Sequence, residues 1–278
     1  MISLSTKFKV KCAAFISNFL VAFLGDKNRI IKRNNINYNV NLREGIDLGI
    51  FLGIKNEESI SNINKITNIN EKKIIIDIGA NVGSVSLPLA KLFKNSLIVS
   101  IEPTIYAFSK LKNNVSLNPI LKKRINLLNI FISNKKNKVR EVHSSWNFLN
   151  NEKKHKVHLG ILKKTSLKTK KLDQICSKFK SVDFIKIDVD GHELDVFKSG
   201  KKTIMKYKPF IYFEFAPYLY REFGYSSEIL IKFIKKDLNY VFYDENLKKV
   251  SNISDFVKKL QNKSQNFFLF HKNIKVKL

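Results

Sequence analysis

The sequence predicts an α/β fold in which a mostly parallel β-sheet carries helices on both faces. From Lys72 onward, short apolar runs alternate with stretches of helical length, a pattern typical of parallel sheets. The 278-residue chain is 44% hydrophobic and holds only 10 glycines and 5 prolines. This composition excludes a disordered or collagen-like protein, and the length suffices for one elaborated domain with a large core.

Six apolar runs are the predicted strands, and five stretches between them have the length of crossover helices. The predicted strands are residues 74–78, 97–101, 125–132, 184–187, 210–213 and 267–270. The predicted helices are residues 82–93, 105–117, 172–179, 193–205 and 228–236. Right-handed crossover connections would wind these elements into one sheet.

Two segments lie outside this alternation. Residues 134–164 are polar, rich in lysine and contain the single tryptophan, Trp146, so we interpret them as an insertion, hairpin-like in character, over one end of the sheet. Residues 1–70 are predicted to form a helical or mixed extension that packs on the domain built from residues 71–278.

The extension is predicted to begin with an amphipathic helix. Three lysines precede an apolar run at residues 12–24, which is shorter than the about 20 residues that a membrane-spanning helix needs. Packing of this helix on the domain is the favoured interpretation, and weak contact with a membrane surface is the alternative. The residues that recur at helical spacing are Phe8, Cys12, Phe15, Phe19 and Phe23, and the lysines are Lys7, Lys9 and Lys11.

The formal net charge of +28 would suit a nucleic acid or an anionic membrane as partner. The basic residues, however, are 45 lysines and only 6 arginines, which are dispersed from Arg29 to Arg221. Because proteins that read nucleic acids depend heavily on arginine, we expect no specific nucleic-acid partner and attribute the lysines to A+T-rich codons. Two distant cysteines, Cys12 and Cys176, favour a reducing, cytoplasmic compartment.

The first informative motif runs from Asp77 to Gly83. An apolar strand leads to Asp77, and two glycines then let the backbone turn into a helix whose first N–H groups are unpaired. A dinucleotide-binding turn would read G-x-G-x-x-G, whereas this spacing is G-x-x-x-G beside a carboxylate. The carboxylate would repel pyrophosphate and suit the ammonium group of S-adenosylmethionine, which lacks phosphate. The predicted cofactor-binding residues here are Asp77, Gly79, Ala80, Asn81 and Gly83.

The next predicted strand ends at Glu102 and Pro103, 23 residues after Gly79. In nucleotide-binding sheets, an acid at this place accepts hydrogen bonds from ribose hydroxyls, so both residues join the predicted cofactor site. Tyr106 and Phe108 are candidates for packing near an adenine ring, although a role in the core is the favoured interpretation for both.

The third motif extends from Lys186 to Glu193. Alternation along the strand places Lys186 and Asp188 on one face, at the edge where open α/β sheets bind ligands. Asp190, His192 and Glu193 crowd the following turn. Asp190 and Glu193 also fit a helix capping box, and Lys186 fits a salt-bridge partner of Asp188, so structural roles remain as alternatives.

Together these motifs resemble the FkbM-type S-adenosylmethionine-dependent methyltransferases. The similar pieces are D-x-G-A-N-x-G at residues 77–83, E-P at 102–103 and K-x-D-x-D-G-x-E at 186–193, and the resemblance reaches Glu214. It implies a Rossmann-like class I fold with a seven-stranded sheet, and methyl transfer to oxygen, commonly on saccharides or secondary metabolites. Asp190 stands where the family usually carries Glu, and Pro88 falls inside the first helix.

Methyl transfer to a hydroxyl needs in-line alignment, exclusion of water and removal of a proton. The predicted catalytic residues are Asp188, Lys186, His192, Glu193 and Glu214, and no metal is required. Histidine has the unperturbed pKa nearest neutrality, although a surface role suits His192 equally well. The expected acceptor is a small molecule or glycan, whose identity the sequence does not give.

Two other function classes remain open at this point. One is a nucleic-acid methyltransferase that uses the basic surface. The other is a noncatalytic homologue that only binds the cofactor, because a fold alone does not set function. His155 and His158 lack a carboxylate at helical spacing, so we predict no zinc site there.

Overall fold

The computed structural model describes residues 6–54, 62–63, 65–134, 139–143, 162–166, 168–260 and 263–274. The strands are β1 (Asn28–Arg33), β2 (Ile36–Asn41), β3 (Ile74–Ile78), β4 (Leu97–Ile101), β5 (Ile125–Leu128), β6 (Phe131–Ile132), β7 (Val139–His143), β8 (Leu162–Ser166), β9 (Thr169–Lys170), β10 (Phe184–Ile187), β11 (Phe210–Phe215), β12 (Tyr240–Tyr243) and β13 (Gln265–His271). The helices are α1 (Thr6–Leu24), α2 (Gly45–Leu52), α3 (Ser86–Leu92), α4 (Ile105–Ser116), α5 (Pro119–Lys122), α6 (Leu172–Cys176), α7 (Glu193–Ser199), α8 (Lys201–Tyr207), α9 (Pro217–Tyr220), α10 (Ser227–Lys232) and α11 (Ile253–Leu260). A 3₁₀ turn at Arg221–Phe223 and a π-helical turn at Phe233–Asp237 complete the described elements.

Seven strands form the central sheet in the order β12-β13-β11-β10-β3-β4-β5. β13 is antiparallel to both of its neighbours, and the pairs from β11 to β5 are parallel. Successive side chains point to opposite faces, so Ile75 and Ile76 of β3 enter two different buried clusters. The predicted α/β fold with a mostly parallel seven-stranded sheet is confirmed.

Several predicted elements have different bounds in the structure. The run 125–132 divides into β5 and β6 around Asn129, whose side-chain amide donates to the carbonyls of Glu102 and Pro103 at 2.9 Å. The predicted helix 193–205 divides at Gly200, where a Cβ would lie 2.6 Å from the side chain of Leu172. Strand β12 is an additional element, and its four residues follow Asn239, which has a positive φ of 62°.

The extension before residue 70 contains a hairpin of β1 and β2, followed by α2. Alternate side chains of β2 are buried against the core beside the sheet. Two backbone N–H groups of β2, from Asn37 and Asn39, donate to the side chains of Asn118 and Asn114 at 2.9 and 2.8 Å. These bonds attach the hairpin to α4 and the residues that follow it. The division of the chain at residue 70 stays a prediction.

Helix α1 packs through a face other than the expected one. Ala13, Leu20 and Leu24 contact the core, whereas the aromatic positions of the expected face, such as Phe15 and Phe23, are exposed. Within the described residues, no helix combines the length and the apolar character that a bilayer span requires.

Only the two ends of the predicted insertion belong to the described residues. There β7 and β8 form an antiparallel pair. Trp146, His155 and His158 lie outside the described residues, so the interpretations placed on them stay predictions.

Candidate active site

A cavity of about 300 Å³ opens at the carboxyl ends of β3, β4, β10 and β11. This is the edge at which open α/β sheets bind ligands, and the volume is within the range of small-molecule sites. Eight of the twelve predicted site residues line it: Gly79, Asn81, Glu102, Pro103, Lys186, Asp188, His192 and Glu214. The wall also includes Ile46, Ser84, Val85, Ile130, Phe131, Ile132, Val189, Asp190, Val196 and Asn266.

The glycine turn after β3 forms one side of the cavity. The N–H groups of Gly79 and Ala80 both donate to the carbonyl of Ile101, at 2.9 and 3.0 Å. Gly79 has a φ of 79°, and a Cβ there would lie 1.8 Å from the carbonyl oxygen of Asp188. Only glycine fits at this contact between two strand ends. Ala80 is buried and does not line the cavity.

Gly83 likewise lies behind the cavity wall. It has a φ of 90°, and a Cβ there would come within 2.9 Å of the Leu111 side chain. Gly83 therefore lets the turn pack closely on α4, which shapes the cavity from behind.

Glu102 at the end of β4 faces the glycine turn. Its carboxylate accepts hydrogen bonds from the N–H of Asn81 at 3.0 Å, the N–H of Thr104 at 2.9 Å and the Thr104 hydroxyl at 2.7 Å. Burial raises the pKa of Glu102. An ionised carboxylate has about four acceptor positions, so one remains for a donor in the cavity. A ribose hydroxyl is such a donor, and the residues here fit a nucleoside.

Asp77 lies beneath the glycine turn and does not line the cavity. Its carboxylate is fully buried, accepts a hydrogen bond from the Ser86 hydroxyl at 2.5 Å and lies 3.4 Å from the Lys186 ammonium. The predicted contact between Asp77 and a cofactor ammonium stays a prediction, and the residues that line the cavity do not include Asp77. The carboxylate instead balances the buried lysine, which in turn holds the turn above it.

Lys186 connects the two sides of the site. Its ammonium donates to the carbonyl of Gly79 at 2.8 Å and lies 3.4 Å from both Asp77 and Asp188. Burial alone would lower the pKa of Lys186, but these two carboxylates outweigh it and raise the pKa. Lys186 therefore stays protonated and acts as a tether for the glycine turn. The proposed salt bridge with Asp188 exists, together with a second one to Asp77.

Three carboxylates form the opposite side of the cavity. Oxygen atoms of Asp188, Asp190 and Glu214 all lie within 4.8 Å of one another. Burial and the charges of the two aspartates raise the pKa of Glu214 well above its ordinary value. Asp188 is the accessible member, with 46% of its side chain exposed. Carboxylate oxygens are also common ligands of divalent cations. The expectation that no metal takes part therefore stays a prediction.

The turn from Asp190 to Glu193 has unusual backbone geometry. Asp190 has a φ of 47°, a conformation that aspartate adopts more readily than most residues. Gly191 has a φ of 97°, and a Cβ there would lie 2.4 Å from the ring of Phe223. Helix α7 begins after His192 without a side-chain cap, so the capping box that was the structural alternative for Asp190 and Glu193 is not formed.

Glu193 supports this turn from below. It is fully buried, its carboxylate accepts from the N–H of Gly191 at 3.3 Å, and it lies 3.3 Å from the Tyr225 hydroxyl. That hydroxyl donates to the carbonyl of Gly191 at 2.7 Å. Burial raises the pKa of Glu193 to about 8. Glu193 is outside the cavity lining, and its predicted catalytic role stays a prediction.

His192 lines the cavity between two aromatic rings. Its ring centroid lies 4.9 Å from that of Phe131 and 4.2 Å from that of Phe223. Neither Tyr106 nor Phe108 lines the cavity, and Phe108 packs against the core as favoured. The favoured core role is wrong for Tyr106, which is 42% exposed and donates to Glu44, a contact that links α4 to the residue before α2.

Several cavity residues were not predicted from the sequence. Ile46 comes from α2 in the extension, and Asn266 lies opposite Glu214 in the pairing of β11 with β13. Residues 130–132 form an apolar wall because Asn129 ends β5 and fixes the loop after β4. The run 125–132 contains two asparagines, Asn126 and Asn129, and the sequence alone does not show that the second one marks this break.

The chain is similar to known methyltransferases. The family description "Methyltransferase FkbM domain" fits residues 77–242, which is more than half of the chain. The chain is 28% identical over 183 residues to the 2-O-methyltransferase NoeI of Sinorhizobium fredii (strain NBRC 101917 / NGR234), covering 59% of this chain and 73% of NoeI.

Solved structures of low identity are also similar. Methyltransferase FkbM from Methylobacillus flagellatus KT has a TM-score of 0.46 and 16% identity, covering 79% of this chain and 49% of that chain. The P. horikoshii TYW2 structure in complex with MeSAdo has a TM-score of 0.44 and 14% identity, covering 96% of this chain and 84% of that one.

Proposed function

This chain belongs to the FkbM family of S-adenosylmethionine-dependent methyltransferases, and we propose that it methylates a hydroxyl oxygen of a saccharide or secondary metabolite. The observation that carries the proposal is the two-sided cavity. A glycine turn and Glu102 form one side, and accessible carboxylate oxygens form the other. Its relative NoeI, a 2-O-methyltransferase, supports oxygen as the acceptor atom.

The cofactor side of the cavity would hold S-adenosylmethionine through few side chains. The remaining acceptor position of Glu102 suits a ribose hydroxyl, and the apolar wall of Pro103 and residues 130–132 suits an adenine ring. When bound, the cofactor supplies a methyl group that its sulfonium centre has already activated. The chain therefore has to position the acceptor, exclude water and take up one proton.

Asp188 is the residue that we assign as the general base. Its carboxylate lines the cavity and is accessible, whereas Glu193 is buried outside it and Lys186 is protonated. Transfer would join the acceptor oxygen to the methyl carbon, break the S–CH₃ bond and release the neutral thioether, while the hydroxyl proton would pass to a carboxylate oxygen of Asp188. Glu214 lies beside it and can orient the acceptor hydroxyl by a hydrogen bond. His192 in the same wall is the alternative base.

An acceptor screen tests this proposal. The protein is incubated with S-adenosylmethionine labelled in its methyl group and with a cell extract that is afterwards separated into glycan, lipid, protein, nucleic-acid and small-molecule fractions. We expect label in a glycan or small-molecule product, in a form that resists mild alkali, because ethers survive conditions that hydrolyse methyl esters.

The matched control is Asp188→Asn, which should leave that fraction unlabelled. Label in nucleic acid, or methyl groups on nitrogen in the purified product, would contradict the proposal.

A further inference from the structure

Helix α1 carries a stripe of exposed aromatic side chains. Phe15, Phe19 and Phe23 follow one another at one-turn spacing and are 74%, 62% and 78% exposed. The rings of Phe19 and Phe23 stack at 6.2 Å. Monomeric proteins rarely leave a continuous apolar stripe in water, so this face calls for an apolar partner.

Another face of α1 packs on the core, and this leaves the aromatic stripe exposed to solvent. Ala13, Leu20 and Leu24 on another face of α1 pack against the core, and Ser17 between them is fully buried. The helix is therefore held on the domain through small and aliphatic residues. The larger aromatic residues are directed away from the contact that already exists.

The stripe lies within a strongly basic segment. Residues 6–33 contain seven basic residues and one acidic residue, Asp26, which gives this segment a formal charge of +6. Lys11 before the stripe and Lys27 after it are both exposed. Apolar side chains flanked by cations are typical of helices that lie in the interface of an anionic bilayer, where lysines meet lipid phosphates.

We propose that α1 docks the protein on an anionic lipid surface, with Phe15, Phe19 and Phe23 in the interfacial region. A second copy of the chain is the less suitable partner, because two segments of charge +6 would face each other. Helix α1 contacts α2, whose Ile46 lines the cavity.

Vesicle co-sedimentation of the full chain tests the docking. Vesicles of phosphatidylglycerol and phosphatidylcholine are compared with vesicles of phosphatidylcholine alone. We expect binding to the anionic vesicles only, and about tenfold or greater loss of binding for the triple variant Phe15→Ser, Phe19→Ser and Phe23→Ser. Lys11→Glu combined with Lys27→Glu should weaken binding severalfold, and about 0.5 M salt should do the same to the wild type.

The matched control replaces two exposed isoleucines elsewhere, Ile120 and Ile229, which are 73% and 49% exposed, by serine. This control should bind vesicles like the wild type, and circular dichroism checks that every variant is folded. Three results would overturn the proposal: no binding of the wild type to anionic vesicles, equal binding by the triple phenylalanine variant, or equal loss in the control. A dimer in light scattering that dissociates in the triple variant would instead assign the stripe to a second copy.

Discussion

The two sides of the cavity are built from opposite kinds of interaction. On the cofactor side, backbone N–H groups of Gly79, Ala80 and Asn81 all have acceptors at 2.9–3.0 Å, so the turn is fixed before any ligand arrives. On the acceptor side, three carboxylates stand within 4.8 Å of one another, and burial together with the charges of Asp188 and Asp190 raises the pKa of Glu214. Under the proposed function, the first side would bind the cofactor and the second would take up the acceptor proton.

This difference predicts which property each substitution changes. Changes on the cofactor side should alter cofactor affinity, and changes on the acceptor side should alter turnover or pH dependence. Lys186 contacts both sides, so its replacement should alter fold stability as well.

Gly79→Ala should have the largest effect. The added Cβ would meet the carbonyl of Asp188 at 1.8 Å, so the strand ends must separate. We expect cofactor affinity to fall by about 100-fold or more, together with a lower Tm, as calorimetry and thermal melts would measure. Gly25→Ala is the matched control, because Gly25 has a similar φ of 77° with nothing within 4 Å. Equal effects in the two variants would show that backbone strain, and not this close contact, determines the result.

Lys186→Met should follow in size. It removes the cation beside Asp77 and leaves that carboxylate buried without a counter-charge. Breaking a buried pair in this way costs about 3–5 kcal/mol of unfolding free energy, which chemical denaturation would measure. Lys201→Met is the control, since its pair with Asp237 is about half exposed and should be nearly neutral. If Lys186→Met left the free energy of unfolding unchanged, Lys186 would not be the residue that stabilises the glycine turn.

Glu193→Gln should change how the free energy of unfolding depends on pH. The pKa of Glu193 is about 8 in the folded protein against an ordinary 4.5, so between these values the folded state holds a proton that the unfolded chain releases. The free energy of unfolding contributed by this group therefore falls as the pH rises across that range. Glutamine cannot ionise and can still meet Gly191 and Tyr225.

The Tm of this variant relative to the wild type should increase between about pH 5 and pH 8, as differential scanning fluorimetry would record. Cofactor affinity should stay unchanged, because Glu193 is outside the cavity lining. A Tm difference that does not vary with pH would mean that Glu193 is ionised in the folded protein.

Asn114→Ala should have the smallest effect. The Asn114 side chain accepts from the N–H of Asn39 at 2.8 Å and donates to the carbonyl of Val82 at 2.8 Å, so it joins the extension to the glycine turn. Its loss leaves two backbone groups unsatisfied and should cost about 1–3 kcal/mol of unfolding free energy. Asn113→Ala on the exposed face of the same helix is the control. A loss of stability in both variants alike would assign the effect to helix propensity.

The same contrast explains what could be predicted from the sequence. The glycine turn and Glu102 depend on local backbone geometry and strand order, which residue spacing records. The roles within the acidic group depend on burial. Glu193 is buried beside Tyr225, and Asp188 stays accessible, yet both stand in one motif. Contacts between distant segments decide this, and spacing does not record them.

Cavity residues that lie outside the motifs could not be predicted from the sequence, because contacts between distant segments bring them to the site. Ile46 reaches the cavity because Glu44 and Asp47 around it pair with Lys110 of α4, more than 60 residues away. The expectation that the phenylalanine face of α1 packs on the domain was wrong, because the sequence does not show which side of a helix the core will cover. Small residues such as Ala13 packed closely, and the phenylalanines did not.

Asp188→Asn provides the most direct test of the central claim that one side binds the cofactor and the other takes the proton. Cofactor affinity by calorimetry and single-turnover methyl transfer to the acceptor fraction would be measured on the same preparation. We predict affinity within about twofold of the wild type and a rate lower by about 100-fold or more. A loss of affinity as large as the loss of rate would contradict the account, because Asp188 would then belong to the cofactor side.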